Sequence, residues 1–161
     1  MYLCYINFFM IKNTAEFYSV LLKKFQYSPT SKQRKLLQLL SDFTFSIDKD
    51  NLFLLKGYAG TGKTHMLDTA REVWENSGYR VKGAALSGIA AQGLERGAGI
   101  ESRTVARRLI DWENGRDILG KKDILVVDEA GMLGTKDVAR IVGEVKESGA
   151  KLVLIGDPQQ L

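Results

Sequence analysis

The chain has 161 residues, enough for one domain, and its 45% hydrophobic and 26% charged residues are typical of a soluble globular protein. Its single cysteine, Cys4, excludes an internal disulfide and a cysteine-based zinc cluster. The lack of disulfides fits a reducing, cytoplasmic location.

The net charge of +4 is concentrated in one part of the chain. The segment from Arg80 to Arg108 holds six basic and two acidic residues, which equals the whole excess. A local basic segment favours a polyanionic partner such as nucleic acid. The alternative is a solvated helix face.

The N-terminal stretch from Met1 to Ile11 is mostly apolar but too short to span a bilayer. It also lacks the preceding basic residues and the following cleavage site of a signal peptide, so no membrane association is expected. Pro29-Thr-Ser then predicts a turn and a helix cap before the apolar stripe of Lys32–Asp42. We therefore treat residues 1–28 as an N-terminal segment of uncertain status and residues 29–161 as one domain.

From Asn51 onward, apolar runs alternate with segments of helical spacing. The predicted strands are Leu52–Lys56, Val81–Leu86, Ile124–Val127 and Leu152–Ile155, and the predicted helices are Lys63–Ser77, Ile89–Arg96, Thr104–Trp112 and Lys136–Ser148. This alternation predicts an α/β fold with a parallel sheet and helices on both faces. Trp74 and Trp112 are expected in its core.

Eight consecutive residues match the Walker A pattern at every specified position, between a predicted strand and a predicted helix. They are Gly57, Tyr58, Ala59, Gly60, Thr61, Gly62, Lys63 and Thr64. The glycines let backbone amides surround phosphate oxygens, and the following helix adds its positive N-terminus. Lys63 is expected to reach the β- and γ-phosphates of ATP, and Thr64 to ligate Mg²⁺. The alternative, a chance match in a glycine-rich turn, does not explain the strand–loop–helix context.

Two later strands deliver polar residues at their carboxyl ends, where ligands bind in open α/β sheets. Asp128 is the expected Walker B partner of Mg²⁺, and Glu129 is the candidate base for the attacking water. Asp157 follows the last strand, and Gln160 has an amide suited to sensing the γ-phosphate. The alternative for Asp157 is an exposed turn, which Asp-Pro suits well.

Together these motifs resemble those of superfamily 1 DNA helicases. Gly57–Thr64 is similar to motif I, Asp128–Gly131 to motif II, and Gly156–Leu161 to motif III. Ser87–Leu94 resembles motif Ia of the RecD-like branch, and Ser102–Val105 resembles its next DNA-contacting motif. Within that branch the motifs look like those of the Ti-type conjugal transfer relaxase-helicases, the TraA family.

The resemblance implies a RecA-like P-loop NTPase fold and a DNA motor of conjugative transfer that uses ATP and Mg²⁺. It assigns Gln33 to adenine contact, although Ala106 departs from the histidine usual in the DNA-contacting motif. Single-stranded DNA is the expected partner. The candidate DNA contacts are Ser87, Arg103, Thr104, Arg107 and Arg108.

The resemblance covers residues 29–161, so we expect a sheet truncated after motif III. The relaxase and second motor domains of the family would be supplied in cis or by an adjacent chain. The lone histidine, His65, is expected to be an ordinary first-turn helix residue. Two alternatives stay open. A small-molecule kinase would have an arginine-rich lid and no use for the Gly-Asp-x-x-Gln-Leu ending, and a non-catalytic remnant would bind only nucleotide, single-stranded DNA or nothing.

Overall fold

The computed structural model describes residues 11–25, 28–47, 51–57 and 62–156. Two helices come first, α1 (Thr14–Lys24) and α2 (Ser31–Phe45). Each begins at a residue whose side chain accepts a hydrogen bond from the first turn: Asn13 for α1 and Thr30 for α2.

The remaining elements alternate between strands and helices, and the sequence predicts all of them except one short strand. They are β1 (Leu52–Lys56), α3 (Lys63–Asn76), β2 (Arg80–Ala85), α4 (Gly88–Ala98), β3 (Ser102–Thr104), α5 (Val105–Glu113), β4 (Asp123–Val127), α6 (Thr135–Ser148) and β5 (Lys151–Gly156). A single 3-10 turn, Ala130–Met132, lies between β4 and α6. Helices α4 and α6 end before Gly99 and Gly149, whose φ values of 64° and 69° suit glycine.

The described strands form one sheet in the order β1-β5-β4-β2-β3, and every pair is parallel. Strand β5 therefore lies between β1, which leads into the phosphate loop, and β4, which leads to the Asp-Glu pair. All carboxyl ends meet at one edge, where the loops from several motifs converge.

Helices cover both faces of this sheet. Successive side chains of a strand point to opposite faces, so the central strands contribute to a separate cluster on each side. Ile124 and Val126 of β4 pack in a cluster with residues of α1, α2 and α3. Leu125 and Val127 pack in a second cluster with residues of α5 and α6. All four side chains are buried, as expected of a strand covered on both faces. The predicted RecA-like α/β fold class is confirmed.

Helix α1 belongs to the first of these clusters. Its Phe17 and Leu21 are fully buried there with Leu37 of α2 and Ala70 of α3. The sequence assigned this helix to the segment 1–28 of uncertain status. In the structure its apolar face contributes to the core, while the boundary near residue 28 stays a prediction.

Both tryptophans lie in the core, as predicted. Trp74 Nε1 donates to Thr44 Oγ1 at 2.8 Å, and Trp112 Nε1 donates to the Asp117 carbonyl at 3.1 Å. His65 lies in the first turn of α3 and makes an edge-on contact with the ring of Phe25. None of the helices in the described part of the chain is long and apolar enough to cross a bilayer.

Strand β3 is the element that the sequence did not predict. It is only three residues long, and it exists through its pairing with Gly83, Ala84 and Ala85 of β2. Such a short edge strand has no periodic pattern of its own.

Candidate functional site

Two glycines, Gly57 and Gly62, flank the central residues of the phosphate loop. Gly57 N donates to the Gly156 carbonyl at 3.2 Å, which joins the end of β1 to the end of β5. Gly62 precedes α3 with φ of 81° and no side-chain cap, so the first N–H groups of the helix have no side-chain acceptor from this residue. Tyr58, Ala59, Gly60 and Thr61 lie outside the described residues.

Lys63 and Thr64 are the first two residues of α3. The Lys63 ammonium donates to the Gly57 carbonyl, which folds the side chain back over the start of the loop. The helix N-terminus and this ammonium together place positive charge at the carboxyl edge of the sheet.

The Asp-Glu pair follows β4 directly. Asp128 N donates to the Ala84 carbonyl of β2 at 2.9 Å, and Asp128 Oδ1 accepts from Glu129 N at 2.8 Å. Glu129 has φ of 53° and ψ of 34°, the left-handed region that side-chain-bearing residues rarely adopt. A non-glycine residue held there is locally strained, and such residues cluster at functional sites.

One cleft brings the main predicted residues together. Lys63, Thr64, Asp128 and Glu129 all line a cavity of about 300 Å³ at the carboxyl edge of the sheet. Helix α4 contributes a further wall through residues that the sequence did not single out for nucleotide binding: Ala90, Gly93 and Leu94. The Gly93 and Gly97 spacing marks a glycine face on this helix, and that spacing was the available signal.

Gln33, the predicted adenine contact, has another role in the structure. Gln33 Oε1 accepts from Thr30 N at 2.9 Å and completes a capping box at the start of α2. Gln33 does not line the cleft, and its adenine contact stays a prediction. Asp157 and Gln160 lie outside the described residues.

Ser87 and Thr104 occupy equivalent places at the ends of adjacent strands. Ser87 Oγ accepts from Ala90 N at 3.1 Å and caps α4, and Thr104 Oγ1 accepts from Arg107 N at 3.2 Å and caps α5. Thr104 of β3 pairs in register with Ala85 of β2, and Ser87 follows Ala85 by two residues. Two helix N-termini therefore stand side by side at this edge.

The arginines near these caps are held by one aspartate. Asp111 Oδ2 accepts from Arg103 at 2.8 Å and from Arg107 at 3.1 Å, although both arginine side chains are partly exposed, at 38% and 58%. Burial acts to raise the pKa of Asp111, but the hydrogen bonds and charges of these arginines bring it below its usual value. The sequence analysis did not identify Asp111, a buried side chain, as the partner of these arginines.

Arg108 has a different environment and corrects the expectation of a DNA contact. Its side chain is buried, and its guanidinium donates to the carbonyls of Gly83 and Glu101 while pairing with Asp117. Burial lowers the pKa of Arg108, partly offset by the charge of Asp117. Because its donors are occupied inside the protein, Arg108 holds β2, β3 and α5 together and does not face a partner.

Comparison with known proteins agrees with this architecture. A family model described as an AAA domain matches residues 31–161. The conjugal transfer protein TraA of Agrobacterium fabrum (strain C58) is 53% identical over 105 residues, which are 65% of this chain and 10% of that protein. TraA of Rhizobium radiobacter gives the same figures.

A more distant relative covers more of the chain. The multifunctional conjugation protein TraI of Escherichia coli (strain K12) is 28% identical over 140 residues, which are 82% of this chain and 8% of that protein. The chain thus spans about a tenth of the length of these relatives. The predicted resemblance to TraA is confirmed, and the chain belongs to the AAA domain family.

Proposed function

We propose that this chain is the ATP-binding and ATP-hydrolysing motor domain of a DNA helicase of conjugative transfer. The observation that carries the proposal is the convergence of Lys63, Thr64, Asp128 and Glu129 in one cleft. The AAA family membership and the similarity to conjugation proteins support the coarser assignment to a conjugation-related, helicase-like domain.

The cleft has the charge distribution that a nucleoside triphosphate needs. The N-terminus of α3 and the Lys63 ammonium supply positive charge and N–H donors for phosphate oxygens. In this role Lys63 would exchange the Gly57 carbonyl for phosphate oxygens. Phosphate is the stronger acceptor because the resulting hydrogen bond joins two opposite charges.

The oxygen atoms in the cleft suit Mg²⁺. Thr64 supplies a hydroxyl and Asp128 a carboxylate, and hard oxygen ligands of this kind are those that Mg²⁺ prefers. When bound, the ion would neutralise charge on the phosphates during transfer to water. The hydrogen bond from Glu129 N holds one Asp128 oxygen in place, which orients the other.

Glu129 is proposed as the general base. Its left-handed backbone lets the chain turn sharply after β4 while the side chain stays in the cleft beside Asp128. A carboxylate there would accept a proton from the attacking water. The strain of about 1–3 kcal/mol usual for such a conformation would be stored at the reacting centre.

DNA binding is proposed at the adjacent N-termini of α4 and α5. The capping hydroxyls of Ser87 and Thr104 accept from the helix backbone, and each still has a proton to donate to a phosphate. Arg103 and Arg107 stand beside these caps with partly exposed side chains. We propose that they add salt-dependent attraction to single-stranded DNA without sequence preference.

The chain spans about a tenth of its relatives' length, and we propose that relaxase and second motor domains work together with this domain, in cis or from an adjacent chain. The proposed location is cytoplasmic. The 161-residue chain alone is therefore expected not to unwind forked DNA in the presence of ATP. Strand separation by the purified chain would contradict this part of the proposal.

Replacing Lys63 tests the nucleotide site itself. Lys63→Ala removes the ammonium from the cleft, so Mg-ATP affinity measured by calorimetric titration should fall by about tenfold or more, as expected when a charged hydrogen bond of about 1.5–3 kcal/mol is removed. Lys146→Ala, an exposed position on α6, is the matched control and should bind like the wild type. Equal affinity of Lys63→Ala and wild type would refute the assignment. In a separate assay, transfer of the terminal phosphate of ATP to a small-molecule acceptor would favour the alternative of a kinase.

A further inference from the structure

Helix α4 approaches the start of α3 very closely at Gly97. A Cβ atom placed on Gly97 would lie 2.5 Å from Thr64 Cγ2 and 3.8 Å from Thr64 Cβ. Carbon atoms in favourable contact are about 3.5–4.0 Å apart. Any side chain at position 97 therefore overlaps the methyl group of Thr64 in its present rotamer.

This contact bears on the Thr64 hydroxyl, because Cγ2 and Oγ1 share one carbon atom. A threonine in a helix has two accessible χ1 rotamers, so rotation about χ1 is the easiest way to move Cγ2 away from an added Cβ. That rotation necessarily moves Oγ1 as well. The absence of a side chain at Gly97 thus permits the one arrangement in which the methyl points toward α4 and Oγ1 takes another staggered position.

We propose that Gly97 is a positioning residue that sets the orientation of the metal-binding hydroxyl of Thr64. The inference rests on the proposed function, since it requires Thr64 to ligate Mg²⁺. Two glycines on one face of α4 approach the site. Gly93 lines the cleft, and Gly97, one turn later, leaves room for the Thr64 methyl group. Neither glycine has a positive φ, so conformational freedom of the backbone does not explain Gly97.

The Gly97→Ala variant tests the proposal with little risk to the fold. Alanine has a higher helix propensity than glycine, so α4 itself is not weakened. The Mg²⁺-dependent gain in ATP affinity, measured by titration with Mg²⁺ and with a chelator, should fall by about 10- to 100-fold, as is usual when a residue that orients a metal ligand is changed. Affinity without Mg²⁺ should be unchanged. Gly143→Ala, inside α6 with open space around the added Cβ, is the matched control.

A second substitution determines whether the effect passes through the Thr64 methyl. Thr64→Ser removes Cγ2 but keeps a hydroxyl that the Walker A pattern accepts, so it should bind Mg-ATP close to the wild type. The Gly97→Ala/Thr64→Ser double variant has nothing left to clash and should recover the Mg²⁺-dependent affinity. An unaffected Gly97→Ala variant, or a double variant as weak as Gly97→Ala alone, would overturn the proposal.

Three-bond NMR couplings to Thr64 Cγ2 in the nucleotide-free chain report the χ1 rotamer independently of binding. They should differ between the wild type and Gly97→Ala and be unaffected in Gly143→Ala. An unchanged rotamer overturns the inference even if Mg-ATP binds. Wild-type protein whose ATP affinity does not respond to Mg²⁺ overturns the proposed function, and with it the metal role of Gly97, whatever the rotamer does.

Discussion

The nucleotide cleft and the basic segment Arg80–Arg108 both contain several charged side chains, but these side chains have different surroundings. Lys63, Asp128 and Glu129 have no salt bridge to any described residue and border an open cavity. In the basic segment, by contrast, five of the six basic residues pair with carboxylates: Arg80, Lys82, Arg103, Arg107 and Arg108.

The basic segment has less unpaired positive charge than its net charge suggests, because nearby carboxylates pair with it. Asp111, Asp117 and Asp123 all lie just beyond the segment in sequence, and together they accept from all five of these residues. Counting charges by segment therefore misses the neutralisation that folding brings about.

The largest expected effect distinguishes the buried Arg108 from Arg107, which we propose as a DNA contact. Arg108→Ala leaves the Gly83 and Glu101 carbonyls without their buried donor, while Asp117 keeps Lys82 as a partner. The free energy of unfolding should fall by about 3 kcal/mol or more, since each unsatisfied buried acceptor costs about 1–3 kcal/mol. Arg107→Ala removes a partly exposed ion pair and should cost about 0–1 kcal/mol. Urea unfolding of both variants measures the difference. Equal destabilisation would mean that the two arginines have similar roles.

A smaller effect is expected in the cleft, on the rate of ATP hydrolysis and not on ATP binding. Glu129→Gln removes the proposed base but no phosphate ligand, so ATP hydrolysis should fall by about 100-fold or more with ATP affinity nearly intact. The assay is steady-state ATPase in a longer protein that contains the second motor domain. Glu147→Gln, an exposed position on α6, is the control. If Glu129→Gln binds ATP as poorly as Lys63→Ala, Glu129 holds the metal or the fold.

The smallest effect is expected for DNA binding. Changing Arg103 and Arg107 to glutamine should weaken binding to single-stranded DNA. The slope of log affinity against log salt should become shallower by about 0.7 for each phosphate that an arginine no longer neutralises. The paired substitution of Arg34 and Lys35, exposed on α2, removes the same charge elsewhere. Equal affinity and equal slope in both double variants would mean that Arg103 and Arg107 act only in ion pairs within the protein.

These differences also show which parts of the molecule can be predicted from sequence. The Asp128-Glu129 pair was predictable because a short apolar run sets both the strand and the edge at which it ends. Lys63 and Thr64 were predictable because the phosphate loop is a contiguous motif. In each case, neighbouring residues in the chain contain the whole signal.

Other features depend on residues far apart in sequence, which a local pattern does not record. Arg108 was misassigned because its burial depends on the Gly83 carbonyl, 25 residues away. Strand β3 exists only through pairing with β2. The close approach of Gly97 to Thr64 likewise arises from the packing of two helices.

The most direct test of the central claim is a crystal structure of the chain with Mg²⁺ and a non-hydrolysable ATP analogue. The account predicts the triphosphate in the cleft between Lys63 and Asp128, with the metal ion contacted by Thr64 and Asp128 and with Glu129 facing the terminal phosphate. A nucleotide bound outside this cleft, or a metal ion held without Thr64 and Asp128, would contradict it.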